Sequence, residues 1–94
     1  MMYVYIMTNA NNTTLYIGVT NHLGRRILEH KACNKDCFTA WYGLNKLVYY
    51  EYTDSKTDAI NREKQLKKFY KKSKIRMITN FNPQWQDLTE KILG

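Results

Sequence analysis

The sequence predicts one small α/β (α+β) domain: a three-stranded mixed or antiparallel sheet flanked by helices, with element order ββα-β-αα. Three observations lead there. Two runs rich in Tyr, Val and Ile near the N-terminus are separated by Asn9-Ala10-Asn11-Asn12-Thr13, which is turn chemistry. A further β-rich run, Leu47–Tyr52, lies between two stretches with helical spacing. The length of 94 residues leaves room for one moderate core, so the whole span 1–94 is expected to be a single domain.

Each element has a local reason. Met2–Thr8 reads as the first strand and Thr14–Val19 as the second, joined as a hairpin. Thr20 and Asn21 are the expected cap of a helix over roughly His22 to Ala32, on which Leu23, Ile27 and His30 share a face. Asn34–Asn45 has no clear period and is expected to be a loop. Leu47–Tyr52 is the third strand. Asp54 and Ser55 can cap the next helix, which is expected to run to about Tyr70 or Lys72 with Asp58 in its first turn. Ser73 is the expected start of a further short helix ending before Asn82-Pro83, because the residue before proline is driven out of the helical region. The tail, Gln84–Gly94, is expected to add a helical turn, with Trp85 and Leu88 packing back.

Alternation along the strands sorts the side chains. Tyr3, Tyr5 and Met7 project to one face and Val4 and Ile6 to the other, while Leu15, Ile17 and Val19 oppose Tyr16 and Gly18. The Val/Ile face is expected to meet the helices, leaving Tyr5 and Tyr16 on a more open face. Gly18 inside a strand signals a bulge or a close approach of another group.

Composition narrows the function. With 44% hydrophobic and 14% aromatic residues the chain is too apolar for a disordered tail. No apolar run reaches the length of a membrane span. The apolar start Met1–Met7 lacks a basic lead and is read as a strand, so a cytoplasmic protein with no membrane partner is expected. Cys33 and Cys37, with His22 and His30, match no zinc spacing and are expected to be reduced thiols. The net charge of +7 is concentrated: Lys64, Lys67, Lys68, Lys71, Lys72, Lys74 and Arg76 fall in one stretch without an acid, and the other eight basic residues balance eight acids. An ordinary exposed face mixes signs. A one-sign stripe is the footprint of a polyanion binder, with nucleic acid ahead of a membrane surface.

Two side chains sit where a core face should be. Glu63 completes the stripe formed by Ala59, Leu66 and Tyr70. A carboxylate there needs a partner. Periodicity leaves two readings standing: an ion pair to Arg62 or another base, or a group facing a cleft as metal ligand or acid–base catalyst. Arg26 and His30, four apart on the first helix, share a side at the edge of its core face.

Taken in order, Tyr3-Val4-Tyr5, Tyr16-Ile17-Gly18, Arg26, His30, Glu63 and Asn82 resemble the GIY-YIG endonuclease superfamily, and most closely its small single-domain bacterial branch. The second tripeptide is intact; in the first, Tyr3 and Val4 replace the usual Gly and Ile. The resemblance implies a metal-dependent endonuclease acting on DNA in preference to RNA, with low sequence specificity unless a protein partner supplies it, in repair or recombination. It implies Glu63 as the protein ligand of Mg²⁺ or Mn²⁺ and Tyr5 as general base. Tyr16 would orient the water or phosphate, Arg26 would hold the scissile phosphate, and His30 would orient Tyr5 or relay a proton. Asn82 would bind phosphate or cap the turn before Pro83, and Gly18 would allow close packing against substrate or the first helix. The basic stripe also suits a non-catalytic nucleic-acid-binding module. A carboxylate on the apolar stripe favours the nuclease, since a pure polyanion binder gains nothing from an acid there.

Overall fold

A computed structural model of the chain describes residues 1–32 and 43–93. Strands β1 (Met2–Thr8), β2 (Leu15–Thr20) and β3 (Lys46–Thr53) form one sheet in the order β2-β1-β3, antiparallel throughout. Helix α1 (Leu23–Ala32) follows the hairpin; α2 (Lys56–Lys68), α3 (Lys71–Phe81) and the short α4 (Thr89–Leu93) follow β3. The α+β class and element order are those predicted from the sequence. Cys33, Cys37 and most of the expected loop after α1 lie outside the described residues.

The sheet is covered on both faces. Val4, Ile6 and Ile17 pack with Ala59 and Leu66 of α2 and Ile78 of α3. Tyr5 and Met7 pack with Leu23 and Ile27 of α1 and with Leu88, just before α4. The alternation therefore holds, but the Tyr5 face is not the open one expected: Tyr5 is 0% exposed. Leu23 and Ile27 need an apolar surface, and the face away from α2 is where they find it. Trp85 and Leu88 pack back as expected, one on each core.

Three local features differ from expectation. The imidazole of His22 caps α1, accepting from the Arg25 amide at 3.1 Å, while Thr20 Oγ1 accepts from the His22 amide at 3.1 Å. Helix α2 stops at Lys68 because Phe69 and Tyr70 are both extended, with ψ of 146° and 149°. Phe69 turns in against the core, whereas Tyr70 is 85% exposed and does not continue the Ala59–Leu66 stripe. Helix α3 consequently opens at Lys71, two residues before Ser73. At the head of α2, Ser55 Oγ accepts from the Asp58 amide at 3.2 Å, as the sequence predicts.

The β1–β3 ladder has a bulge. Ile6 faces Tyr49 and Met7 faces Leu47, so Val48 is the extra residue. Val48 and Tyr49 consequently both enter the core under α2 and α3, where strict alternation would separate them. The Val48 carbonyl accepts from Asn82 Nδ2 at 3.2 Å.

Candidate active site

Four of the residues singled out from the sequence meet on the α1 side of the sheet. The hairpin register places Met7 opposite Tyr16 and Tyr5 opposite Gly18, so Tyr5 and Tyr16 are diagonal neighbours with ring centroids 6.3 Å apart. Arg26 and His30 project from α1 onto them. Tyr5 Oη lies 2.8 Å from His30 Nε2, and Arg26 Nε donates to the same hydroxyl at 3.4 Å. The His30 ring stands edge-on to both tyrosines, 5.7 Å from Tyr5 and 5.4 Å from Tyr16.

Protonation follows from burial. Desolvation is the largest influence on the Tyr5 hydroxyl and pushes it up to about 12, outweighing the Arg26 hydrogen bond and charge that pull it down. Burial, with the charge of Arg26, lowers His30 below its ordinary value. Near neutral pH the tyrosine is therefore protonated and the imidazole neutral. Tyr5 O–H then donates to His30 Nε2, which leaves the ring proton on Nδ1.

Gly18 has a specific neighbour. A Cβ built there would fall 2.5 Å from Tyr5 Oη and 2.6 Å from Cζ. The close approach expected at this glycine is to the tyrosine ring, and not to α1.

Arg26 also lines a cleft of about 510 Å³ between α1 and α2 at the β2 edge, together with Asn21, Arg25, Glu29, Lys56 and Ile60. Arg26 pairs loosely with Glu29 at 3.6 Å. Arg25 and Lys56 are additions to the residues predicted from the sequence; the adjacent Arg25-Arg26 pair signalled Arg25, and only the fold brings Lys56 beside it.

Glu63 makes its ion pair along its own helix. It lies three residues beyond Ile60 on α2, its side chain 22% exposed, and pairs with Lys67 at 3.6 Å. Arg62 is engaged elsewhere: its Nε donates to Glu51 Oε1 at 2.6 Å, and Glu51 Oε2 accepts from Tyr49 Oη at 2.5 Å. Among the described residues no group of three or more His, Cys, Asp or Glu side chains is gathered around a common point. A lone, partly exposed carboxylate fits a hydrated divalent cation that completes its shell with water and phosphate oxygens; it does not fit a protein cage. Asn82 is 6% exposed and spends its amide on the backbone: Nδ2 donates to the carbonyls of Val48 and Gln86, and Oδ1 accepts from the Gln86 amide.

The basic stripe is divided between two helices. Lys64, Lys67 and Lys68 belong to α2 and Lys71, Lys72, Lys74 and Arg76 to α3. Lys71 Nζ donates to the Thr13 carbonyl, tying the stripe to the hairpin loop.

A family model for the GIY-YIG catalytic domain matches residues 1–76. The chain belongs to the GIY-YIG family. Relatives of this GIY-YIG chain include the UPF0213 protein of Clostridium perfringens, 39% identical over 83 residues and covering 85% of each chain. The UPF0213 protein of Natronomonas pharaonis is 35% identical over 78 residues, covering 83% of this chain and 91% of its own. The solution NMR structure of the UPF0213 protein from Bacillus halodurans matches with a TM-score of 0.59 at 25% identity, covering 96% of both chains. The GIY-YIG superfamily is one of endonucleases. The family match takes in Tyr5, Tyr16, Arg26, His30 and Glu63 and stops short of Asn82 and α4.

Proposed function

We propose that this GIY-YIG chain is a divalent-metal-dependent endonuclease that hydrolyses phosphodiester bonds in DNA with low sequence specificity. The observation that carries this reading is the Tyr5–His30–Arg26 network, in which one buried hydroxyl is bonded to a neutral imidazole and to a guanidinium that also lines a cationic cleft. A phosphate at Arg26 would set the scissile bond beside that hydroxyl.

The network suits a proton relay. A tyrosine held at about 12 and buried is a poor free base; once substrate binding admits the attacking water to its hydroxyl, it takes a proton from that water as it passes its own to His30 Nε2. The water oxygen then bonds to phosphorus, the bond from phosphorus to O3′ breaks, and O3′ takes a proton from solvent. The products carry a 3′ hydroxyl and a 5′ phosphate. Arg26 offsets the charge that grows on the phosphoryl oxygens. Tyr16, packed against Tyr5 and His30, orients the water or the phosphate. Glu63 would hold Mg²⁺ or Mn²⁺, which when bound polarises the phosphate and stabilises the leaving oxygen. Gly18 makes room for Tyr5, and Asn82 supports β3. The lysines and Arg76 would contact backbone phosphates, and such contacts read no sequence. Nicked and branched intermediates of repair or recombination are substrates of the corresponding kind.

The test is incubation of labelled branched, nicked, single-stranded and duplex DNA with Mg²⁺, Mn²⁺ or EDTA, using wild type and Arg26→Ala. Metal-dependent cleavage by wild type is expected. Arg26→Ala should slow it by on the order of 10²–10³ while affinity changes far less. Binding without cleavage in either metal would make the chain a nucleic-acid-binding module.

A further inference from the structure

A second cleft, of about 550 Å³, opens on the Tyr5 side of the sheet, within the usual size of a small-ligand site. Its lining differs in kind from that of the cationic cleft. Tyr3 and Tyr50 contribute aromatic surface, Ile92 and Leu93 of α4 form an apolar wall, and Asn21 and His22 are exposed polar neighbours. Tyr52, 65% exposed, lies 6.1 Å from Tyr3 and extends the aromatic surface outward. The α4 wall lies beyond the family match at residues 1–76, so the pocket is not made by the catalytic module alone.

The polar neighbours have defined capacity. His22 Nδ1 is occupied by the Arg25 amide, so the neutral ring carries its proton on Nε2 and offers a donor. The Asn21 amide offers both a donor and an acceptor. Aromatic faces with mixed donors and acceptors nearby match a nucleobase, which has a π-face and a polar edge.

Position selects the occupant. Asn21 lines both clefts, so the aromatic pocket lies next to the one that holds Arg25, Arg26 and Lys56. Tyr3 shares the face of β1 with Tyr5, two residues and about 7 Å along the strand. A strand whose phosphate lies against Arg26 therefore has a base within reach of Tyr3. Bases inside a duplex are stacked on their neighbours and cannot enter. We propose that this pocket takes one unstacked base of single-stranded DNA, held against Tyr3 and Tyr50 and contacted at its edge by Asn21 and His22. The proposal rests on the reading of the chain as a DNA-acting nuclease, and it adds a preference for unpaired strands.

Fluorescence anisotropy in EDTA tests it, with labelled oligo(dT), an abasic deoxyribose-phosphate strand of the same length, and duplex as probes. Wild type should bind oligo(dT) on the order of tenfold tighter than the abasic strand. Tyr3→Leu should remove most of that ratio, and Tyr3→Phe should keep it. Leu93→Trp, at a half-exposed wall position that leaves the core intact, should fill the pocket and also remove the ratio; it decides the matter if Tyr3→Leu does not fold. Equal wild-type affinity for oligo(dT) and the abasic strand overturns the pocket and leaves the nuclease reading standing. A ratio that survives Leu93→Trp overturns it too. Binding to none of the probes overturns both.

Discussion

Tyr5 cannot move away from Gly18. It is buried, bonded to His30 and Arg26, and packed against Tyr16. Gly18→Ala therefore forces a methyl group into the ring, an overpacking that costs about 1–3 kcal/mol and shifts the hydroxyl. Urea unfolding should register the loss and cleavage should fall with it; a wild-type midpoint would contradict the close approach. His30 gives a pH signature. Its folded pKa is lowered, so the native state favours the neutral ring, and that stability is present above 6.5 and lost as pH falls below it. The proposed relay needs the same neutral ring. The acidic limb of the cleavage profile should thus lie below 6.5 in wild type and shift or disappear in His30→Asn. A limb above 6.5, or one unmoved in the variant, would remove His30 from the relay.

Helix α2 carries the sharpest contrast among the elements. The pair between Glu63 and Lys67 is an i,i+4 contact whose side chains are 22% and 55% exposed. Such pairs contribute about 0.3–0.5 kcal/mol. Glu63→Gln should consequently leave the melting temperature in EDTA nearly unchanged, keep DNA binding, and abolish metal-dependent cleavage. A large drop in melting temperature with residual metal-dependent activity would assign Glu63 a structural role instead. The strands and the faces of Tyr5, Val4 and Ile17 were legible in the sequence because a period of two is a local property. The second covering layer was not: Leu23 and Ile27 declare an apolar face, but nothing local says which side of the sheet receives it. The bulge at Val48 was also hidden, because an apolar run such as Leu47-Val48-Tyr49 looks alike in either register. Tyr70 matched the helical period by coincidence, since the break at Phe69 depends on a core contact. Within the site, Tyr5, Tyr16, Arg26 and His30 could be chosen by the family resemblance. The Tyr49–Glu51–Arg62 cluster needed the facing of α2 against β3 to be known.

At the scale of the whole molecule, charge is the property to test. Lys67 and Lys68 suit the C-terminal end of α2, but Lys71 and Lys72 crowd the first turn of α3, which has no acid and no side-chain cap. A polyanion would relieve that arrangement. Changing Lys67, Lys68, Lys71 and Lys72 to Gln should flatten the dependence of log affinity on log salt by about 0.9 for each phosphate that the variant no longer neutralises, and weaken all sequences alike. Lys68 and Lys72 should account for most of it, since Lys67 is paired to Glu63 and Lys71 to the hairpin loop. An unchanged slope would reduce the stripe to a solvated face.

The central position of β1 also governs how the chain folds. Its pairing with β2 closes across a short turn that Asn9 prebuilds, with Oδ1 accepting from the amides of Thr13 at 2.8 Å and Thr14 at 3.1 Å. Its pairing with β3 joins residues as distant as Met2 and Thr53. Hairpins form in roughly 1–10 μs, whereas distant pairing waits on loop closure. Asn9→Ala should therefore slow refolding and leave unfolding nearly unchanged, while Asn82→Ala, which releases the Val48 bulge, should speed unfolding; chevron plots separate the two. In that order of events Tyr5 settles over Gly18 before the segment carrying Arg26 and His30 docks. If the chevrons show that order, the hydroxyl is positioned by the earliest structure to form, and the groups proposed to govern its proton assemble around it afterwards.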